Sequence, residues 1–374
     1  MQTSWQALNH LKQGSRPVIG CLPLYPPLEL FHSLGLAPVV LWGLRDVVPR
    51  VPDADRHVQN YVCSVGRRLT QFVINEGRDI LDGLFFYNAG DTLRNLPEII
   101  RQGRIEAGGR DLPMFRMHLP MTSPAQVGVP GYFKNEIEEL IVSLENHYGV
   151  TFSQEVFAES VKLYDRMRNG CRQLETAVAD GRLSFVDFCQ MLTEANFLEV
   201  SQQVELIESR LAGLASPPAR RDEPIRLIVS GILPPPPAIC EMMEQSGLMV
   251  AGNDIASLRR SYAVNPSRKR TVTDFYRDFY RDHFPCTTLL YTADRRFEAI
   301  MDLVAKTKAR GFIFIGEKFC EYEYFEWPHL EQRLKEAGLA VLSLEISLDE
   351  ENAGLESVRT RLEAFTEIVN SLAS

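Results

Sequence analysis

The stretch from 311 to 346, GFIFIGEKFCEYEYFEWPHLEQRLKEAGLAVLSLEI, limits the fold more than any other part of the chain. GFIFIG is a short apolar run of β-branched and aromatic residues, EYEYFEWPHLEQRLKEAG is helical in composition and closes on Gly338, and LAVLSLEI is a second apolar run. Strand, helix, strand is a βαβ unit. Two parallel strands need such a crossover, and a parallel sheet takes its ligands at the carboxyl ends of its strands. Cys320 falls at such an end, between Phe319 and Glu321, where a thiol can serve as a packing group, a nucleophile or a metal ligand.

A chain of 374 residues exceeds what one core commonly holds, so two or three domains are expected. Its formal net charge of −9 argues against nucleic acid or an anionic membrane as the main partner, while a local basic patch still leaves room for a small anion. No apolar run approaches the ~20 residues that span a bilayer. The opening MQTSWQALNHLKQGS lacks the apolar core of a signal peptide, so a cytoplasmic location is expected. Seven cysteines, an odd number and without a CxxC pair, fit a reducing compartment better than a disulfide framework or a zinc ribbon.

Read in order, residues 1–130 alternate apolar runs (PVIGCLPL, APVVLWG, LDGLFFYNAG, LPMFRMHLPM) with helical stretches, the pattern of an α/β lobe with a parallel sheet. From 131 to 220 the strand signals stop. KNEIEELIVSLENHYG and the runs after it have helical periodicity, with cap signals at Ser153 and Ser184. SPPARRDEP at 216–224 is a linker by composition. A second α/β lobe occupies 221–374, with apolar runs IRLIVSGIL and LMVAGND ahead of the βαβ unit and the helix ESVRTRLEAFTEIVNSLA at its close. Two halves of similar construction suggest a pseudo-symmetric pair around a cleft.

The common nucleotide and hydrolase signatures are missing: no G-x-G-x-x-G after a strand, no P-loop, no G-x-S-x-G and no H-E-x-x-H. Chemistry is left to the strand tips. Cys21 ends the first strand, Cys63 precedes a helix in QNYVCSVGRRL, the Asn88–Asp91 corner ends the third strand, and Cys320 lies in the other lobe. Thiolates gathered from separate loops suit iron–sulfur ligation, and isolated packing cysteines give the same pattern. Packing is the expected role of Cys171, Cys189, Cys240 and Cys286. His118 has a catalytic and a structural reading. Arg259–Arg260 and Arg295–Arg296 read either as guanidinium forks for an anion or as solvated helix faces. Asn253–Asp254 is polar lining or a helix cap, and LPPPPAIC forms a stiff wall.

Six stretches taken together resemble the subunits of the 2-hydroxyacyl-CoA dehydratase and benzoyl-CoA reductase family. They are IGCLPLYPPLELFHSLGLAPVVLWG, HVQNYVCSVGRRL, DGLFFYNAGDTLRNL, GILPPPPAICEMMEQSGLMVAGNDIASLRRSY, the 311–346 stretch and TRLEAFTEIV. The resemblance implies two flavodoxin-like (Rossmann-like) parallel-sheet lobes joined by a helical segment. It implies a [4Fe-4S] iron–sulfur cluster held by three cysteines per subunit, and a heterodimer with a homologous second subunit of the same family. It further implies an ATP-dependent activator protein that donates electrons, in an anaerobic metabolism. The substrate it implies is an acyl-CoA thioester, which accepts one electron and then loses a 2-hydroxyl or has its aromatic ring reduced. The sequence YNAGDTLRNL leans toward the benzoyl-CoA reductase side.

Carried over by position, the first cluster ligand is Cys63 and the third is Cys320. The second family cysteine precedes an aspartate at a strand tip, and here Gly90 stands in that place beside Asp91. Three explanations follow: Cys21 serves as the third ligand; two thiolates and another group hold the cluster, or it is lost, leaving a cluster-poor partner subunit; or the cofactor is altered.

Overall fold

The computed structural model describes residues 4–123, 125–215, 223–266, 271–347 and 354–372. Of the expected linker at 216–224, residues 216–222 lie outside the described residues.

Four short strands, β1 (Val18–Cys21), β2 (Ala37–Val40), β3 (Gly83–Tyr87) and β4 (Met114–Met117), form one sheet in the order β2-β1-β3-β4. Four longer ones, β5 (Ile225–Gly231), β6 (Leu248–Ile255), β7 (Gly311–Glu317) and β8 (Ala340–Ile346), form a second in the order β6-β5-β7-β8. Every pairing is parallel. The two sheets therefore share one doubly wound topology, in which the chain reverses direction across the sheet beside β1 in the first lobe and beside β5 in the second. Ligand crevices open at such reversals, beyond the carboxyl ends of the strands.

The apolar runs dictate this arrangement. All seven residues of β7 and all four of β1 are buried, as a parallel strand covered by helices on both faces requires. The 311–346 stretch folds as β7, the helix Glu321–Glu336 and β8. The run between the sheets is helical as its periodicity predicts, with helices at Val129–Tyr148, Gln154–Ala179, Phe185–Ala195 and Val200–Ala212. Ser153 and Ser184 cap two of them, each side chain accepting a backbone N–H from the first turn.

Polar residues stitch the lobes together. Arg168, on the long helix Gln154–Ala179, pairs with the fully buried Glu29 of the first lobe. The Tyr276 hydroxyl donates to the other oxygen of Glu29 at 3.0 Å and accepts the Leu30 N–H at 3.0 Å, bringing the helix Val272–Arg281 onto the first lobe. Phe275, Tyr276 and Phe279 consequently share a core with Ile19, Phe31 and Phe85. On its other side the long helix presents Glu175 to Arg259 at 2.5 Å and Arg172 to the Tyr262 carbonyl at 2.6 Å. No helix among the described residues is long and apolar enough to cross a membrane.

Candidate functional site

Three helices begin at one place. Cys63 directly precedes the helix Ser64–Ile74, Gly90 precedes Asp91–Glu106, and Cys320 precedes Glu321–Glu336. None of the three donates a side chain to cap its helix. Helix starts leave N–H groups unsatisfied and carry a partial positive charge, which makes them suitable anchors for thiolates or other anions. Close approach of two of them depends on a small residue. A Cβ on Gly66 would stand 3.1 Å from the Thr92 methyl carbon and 4.0 Å from Cys63 Sγ.

Cys63, Gly90 and Cys320 line one cavity of about 90 Å³. Leu24, Trp42, Ile232 and Phe319 form apolar wall, and Thr92, Thr288, Glu317, Glu321 and Tyr322 supply the polar part. The backbone is strained here. Leu24 (φ 89°) and Phe319 (φ 67°) occupy the left-handed region although neither is glycine, and both face this cavity. Cys63 and Cys320 are both half-buried thiols. Burial pushes the Cys320 thiol well above its ordinary value, and the negative charge of Cys63, Glu323 and Glu317 adds to it.

A rigid base lies beneath Cys320. Glu323, one turn into its helix, takes Arg260 Nη1 at 2.6 Å and Arg296 Nη2 at 3.2 Å, and the same two guanidiniums hold Asp254 from the end of β6 at 2.8 and 2.7 Å. Ser230 Oγ completes the cluster by donating to Asp254 at 2.9 Å. All of these groups are buried. Burial alone would raise the Asp254 carboxyl; the two guanidiniums outweigh it and hold the group at about 2. Glu323 is lowered against its burial in the same way. The Arg259–Arg260 and Arg295–Arg296 doublets thus resolve differently from either expectation. One arginine of each pair is neither solvated nor offered to a ligand, because its guanidinium is taken up by buried carboxylates.

The other sequence candidates fall elsewhere. Cys21 is wholly buried in the first-lobe core, its thiol directed at the Ile19 carbonyl 3.8 Å away, and it does not line the cavity with Cys63 and Cys320. Asn88 ties the ends of β3 and β4 through two hydrogen bonds to the Leu119 backbone. His118 is exposed, and its backbone N–H donates to Glu136 at 2.6 Å. Asn253 donates to Glu175 at 3.0 Å. Cys171, Cys189 and Cys240 are packed in the second-lobe core. Cys286 sits behind the cavity wall, accepting from Arg260 at 3.6 Å and lying 3.3 Å from the hydroxyl of Thr288. Tyr322 was not singled out by sequence, and it closes the third corner of the cavity. A Cβ at Gly90 would meet its ring at 3.1 Å.

The three-thiolate set that the family resemblance implies is therefore not assembled. Position 90 has no side chain, its φ of 153° disfavours one, and Tyr322 fills the space in front of it. Among the described residues no three His, Cys, Asp or Glu side chains are grouped so as to enclose a metal ion. The donors present do not fit a cubane held by three protein thiolates.

Two parallel-sheet lobes meeting over a pair of thiols at helix starts define a class of two-lobed α/β protein with an interlobe thiol chamber. Residues 23–369 match the family of the 2-hydroxyglutaryl-CoA dehydratase D-component, and the chain belongs to that family. It is 22% identical over 362 residues to the (R)-phenyllactyl-CoA dehydratase beta subunit of Clostridium sporogenes, covering 96% of this chain and 94% of that one. It is 23% identical over 370 residues to the (R)-2-hydroxyglutaryl-CoA dehydratase subunit beta of Acidaminococcus fermentans, covering 95% and 93%. One of the benzoyl-CoA reductase subunits of Thauera aromatica is similar to the same degree, 23% over 373 residues, covering 95% and 91%.

Proposed function

We propose that this chain is one subunit of a heteromeric enzyme that dehydrates a 2-hydroxyacyl-CoA or reduces an aromatic acyl-CoA, working with a homologous second subunit and an ATP-dependent electron-donating activator. The observation that carries the reading is the convergence of Cys63 and Cys320, from opposite lobes, on one cavity with largely apolar walls. A chamber of this kind keeps water from a reactive thioester and holds its reacting end in place. Phe319, which lines it, is 47% exposed, and Phe325, on the helix that Cys320 precedes, is 84% exposed, which offers a partner subunit apolar surface.

A second form of the reading is favoured by Gly90 and Tyr322: the sister subunit holds the iron–sulfur cluster and this chain completes the complex as a cluster-poor partner. Both forms are tested by anaerobic co-expression with a homologous subunit and its activator. The expected result is a copurifying complex that turns over a 2-hydroxyacyl-CoA or benzoyl-CoA with ATP and a low-potential reductant. Failure of the chains to copurify, or an active sister subunit indifferent to this chain, overturns the proposal. The variant Cys63→Ser/Cys320→Ser separates the forms, since only the cluster-bearing one loses turnover.

A further inference from the structure

We infer that a second cavity, walled by Trp5, Trp42 and the proline run after β5, is a binding site for a small uncharged molecule that combines a ring system with a carbonyl oxygen. The site is built by this chain alone and stands apart from the acyl-CoA reading above.

The cavity lies where three parts of the molecule meet. The helix Ser4–Gln13 and the loop after β2 line it from the first lobe, the helix Phe185–Ala195 from the connector, and the loops after β5 and β6 from the second lobe. Trp42, Leu233 and Ser257 each stand two residues beyond the end of their strand, β2, β5 and β6 in turn. Parallel sheets take their ligands in that position. The volume of about 620 Å³ falls within the roughly 300–1,000 Å³ of small-molecule sites, whereas the thiol chamber holds about 90 Å³. Among the described residues Trp42 alone lines both.

The lining selects the ligand. Trp5 and Trp42 offer flat apolar faces against which a ring packs. Pro234, Pro235 and Pro237 have fixed φ, so the second-lobe wall is formed before anything binds. Charge is sparse and mixed: among the described lining residues Asp46 and Glu194 carry negative charge and Arg45 positive. A polyanion such as the nucleotide end of CoA needs several cations, and this lining does not supply them. One lining group asks for an oxygen. Ser257 is 9% exposed, and its Oγ is buried with no hydrogen-bond partner. Buried hydroxyls are ordinarily paired, and rotation about χ1 lets this one donate to a ligand carbonyl. Gln190 and Asn196 add amide groups on the connector side.

The test is a titration of the full-length chain, purified anaerobically and reduced, with benzophenone. This probe is uncharged, has two rings and one ketone oxygen, and bonds to adjacent C–H groups under near-ultraviolet light. The expected outcome is a saturable quenching of fluorescence from Trp5 and Trp42, two of the chain's three tryptophans, with a thermal midpoint that rises with probe concentration. Irradiation should then place one label per chain on peptides that hold Trp42, residues 185–196 or residues 233–237, read by mass. Affinity should fall roughly three- to tenfold in Ser257→Ala and in Trp5→Ala, each shown to fold by circular dichroism. Benzoyl-CoA at matching concentration should not displace the probe. Absence of saturable binding, label scattered over the surface, affinity unchanged in both variants, or displacement by benzoyl-CoA overturns the proposal, the last by making the cavity an approach to the acyl-CoA site. A chain that takes up benzophenone here yet joins no acyl-CoA enzyme refutes only the function proposed above.

Discussion

At Gly90 a single residue decides what the chamber can hold. A side chain there meets two obstacles, a φ of 153° and the Tyr322 ring at 3.1 Å. Gly90→Ala is expected to cost about 1–3 kcal/mol in urea unfolding, and adding Tyr322→Leu should recover only the steric part of it. A neutral Gly90→Ala would show that the corner is not closed. The departure at Gly90 was legible in the sequence because YNAGDTLRNL is one of the stretches that carry the family resemblance, whereas Tyr322 was not, since its contact with Gly90 joins residues far apart in the chain. His283 gives a second prediction. It is buried against the Tyr25 ring with centroids 3.9 Å apart, and burial lowers its pKa from 6.5 to about 4. The unfolded chain takes up this proton below about 6.5 while the folded one refuses it until about 4. Neutral His283 therefore contributes stability that is full above pH 6.5 and is lost, to the extent of about 3 kcal/mol, as the pH falls toward 4. Thermal midpoints measured between pH 4.5 and 7 should fall with acidification, and His283→Gln should flatten that slope.

Among the elements, the helix Glu321–Glu336 carries the strongest constraint, because its first turn is bolted down by buried charge. Glu323→Gln removes the carboxylate shared by Arg260 and Arg296, leaving Asp254 as the remaining partner of Arg260 and Asp254 and Glu326 as those of Arg296, and should destabilise the chain by about 2–4 kcal/mol. Glu298→Gln, which breaks an exposed pair with Arg333 on a neighbouring helix, should cost under about 1 kcal/mol. Chemical denaturation of the two variants side by side checks the contrast, and similar losses would sink the account of the buried cluster. Strand and helix positions here were readable: GFIFIG has the composition of a strand buried on both faces and is one, whereas LAVLSLEI reads as a buried run but forms a sheet-edge strand that fully buries only Ala340 and Leu344. The role of the arginines was not. A doublet such as RR looks the same in sequence whether it faces water or a buried carboxylate, and Asp254 comes from the end of a strand while Glu323 comes from the start of a helix far along the chain.

At the scale of the whole molecule, repetition of one strand order in two sheets was foreshadowed by two halves of similar apolar patterning. How the halves are held together was not, because the joint combines buried polar ties with a shared apolar core of residues far apart in the chain, neither of which leaves a period in the sequence. The Glu29–Arg168 pair is the central tie, with Tyr276 of the helix Val272–Arg281 on the same carboxylate. The chamber takes Cys63 from one lobe and Cys320 from the other, so loosening that tie is expected to open it although neither Glu29 nor Arg168 lines it. Arg168→Met should leave Glu29 buried with no cation and only the Tyr276 hydroxyl on it, lower stability by about 3–5 kcal/mol, and let the lobes separate more often. Both thiols should then react faster with a small alkylating reagent under native conditions, while the packed Cys240 keeps its slow rate. Labelling followed by peptide mass reads all three at once. Unchanged rates at Cys63 and Cys320 in a destabilised Arg168→Met chain would mean that the chamber is held shut by its own walls, chiefly Trp42 and Tyr322, rather than by the joint between the lobes.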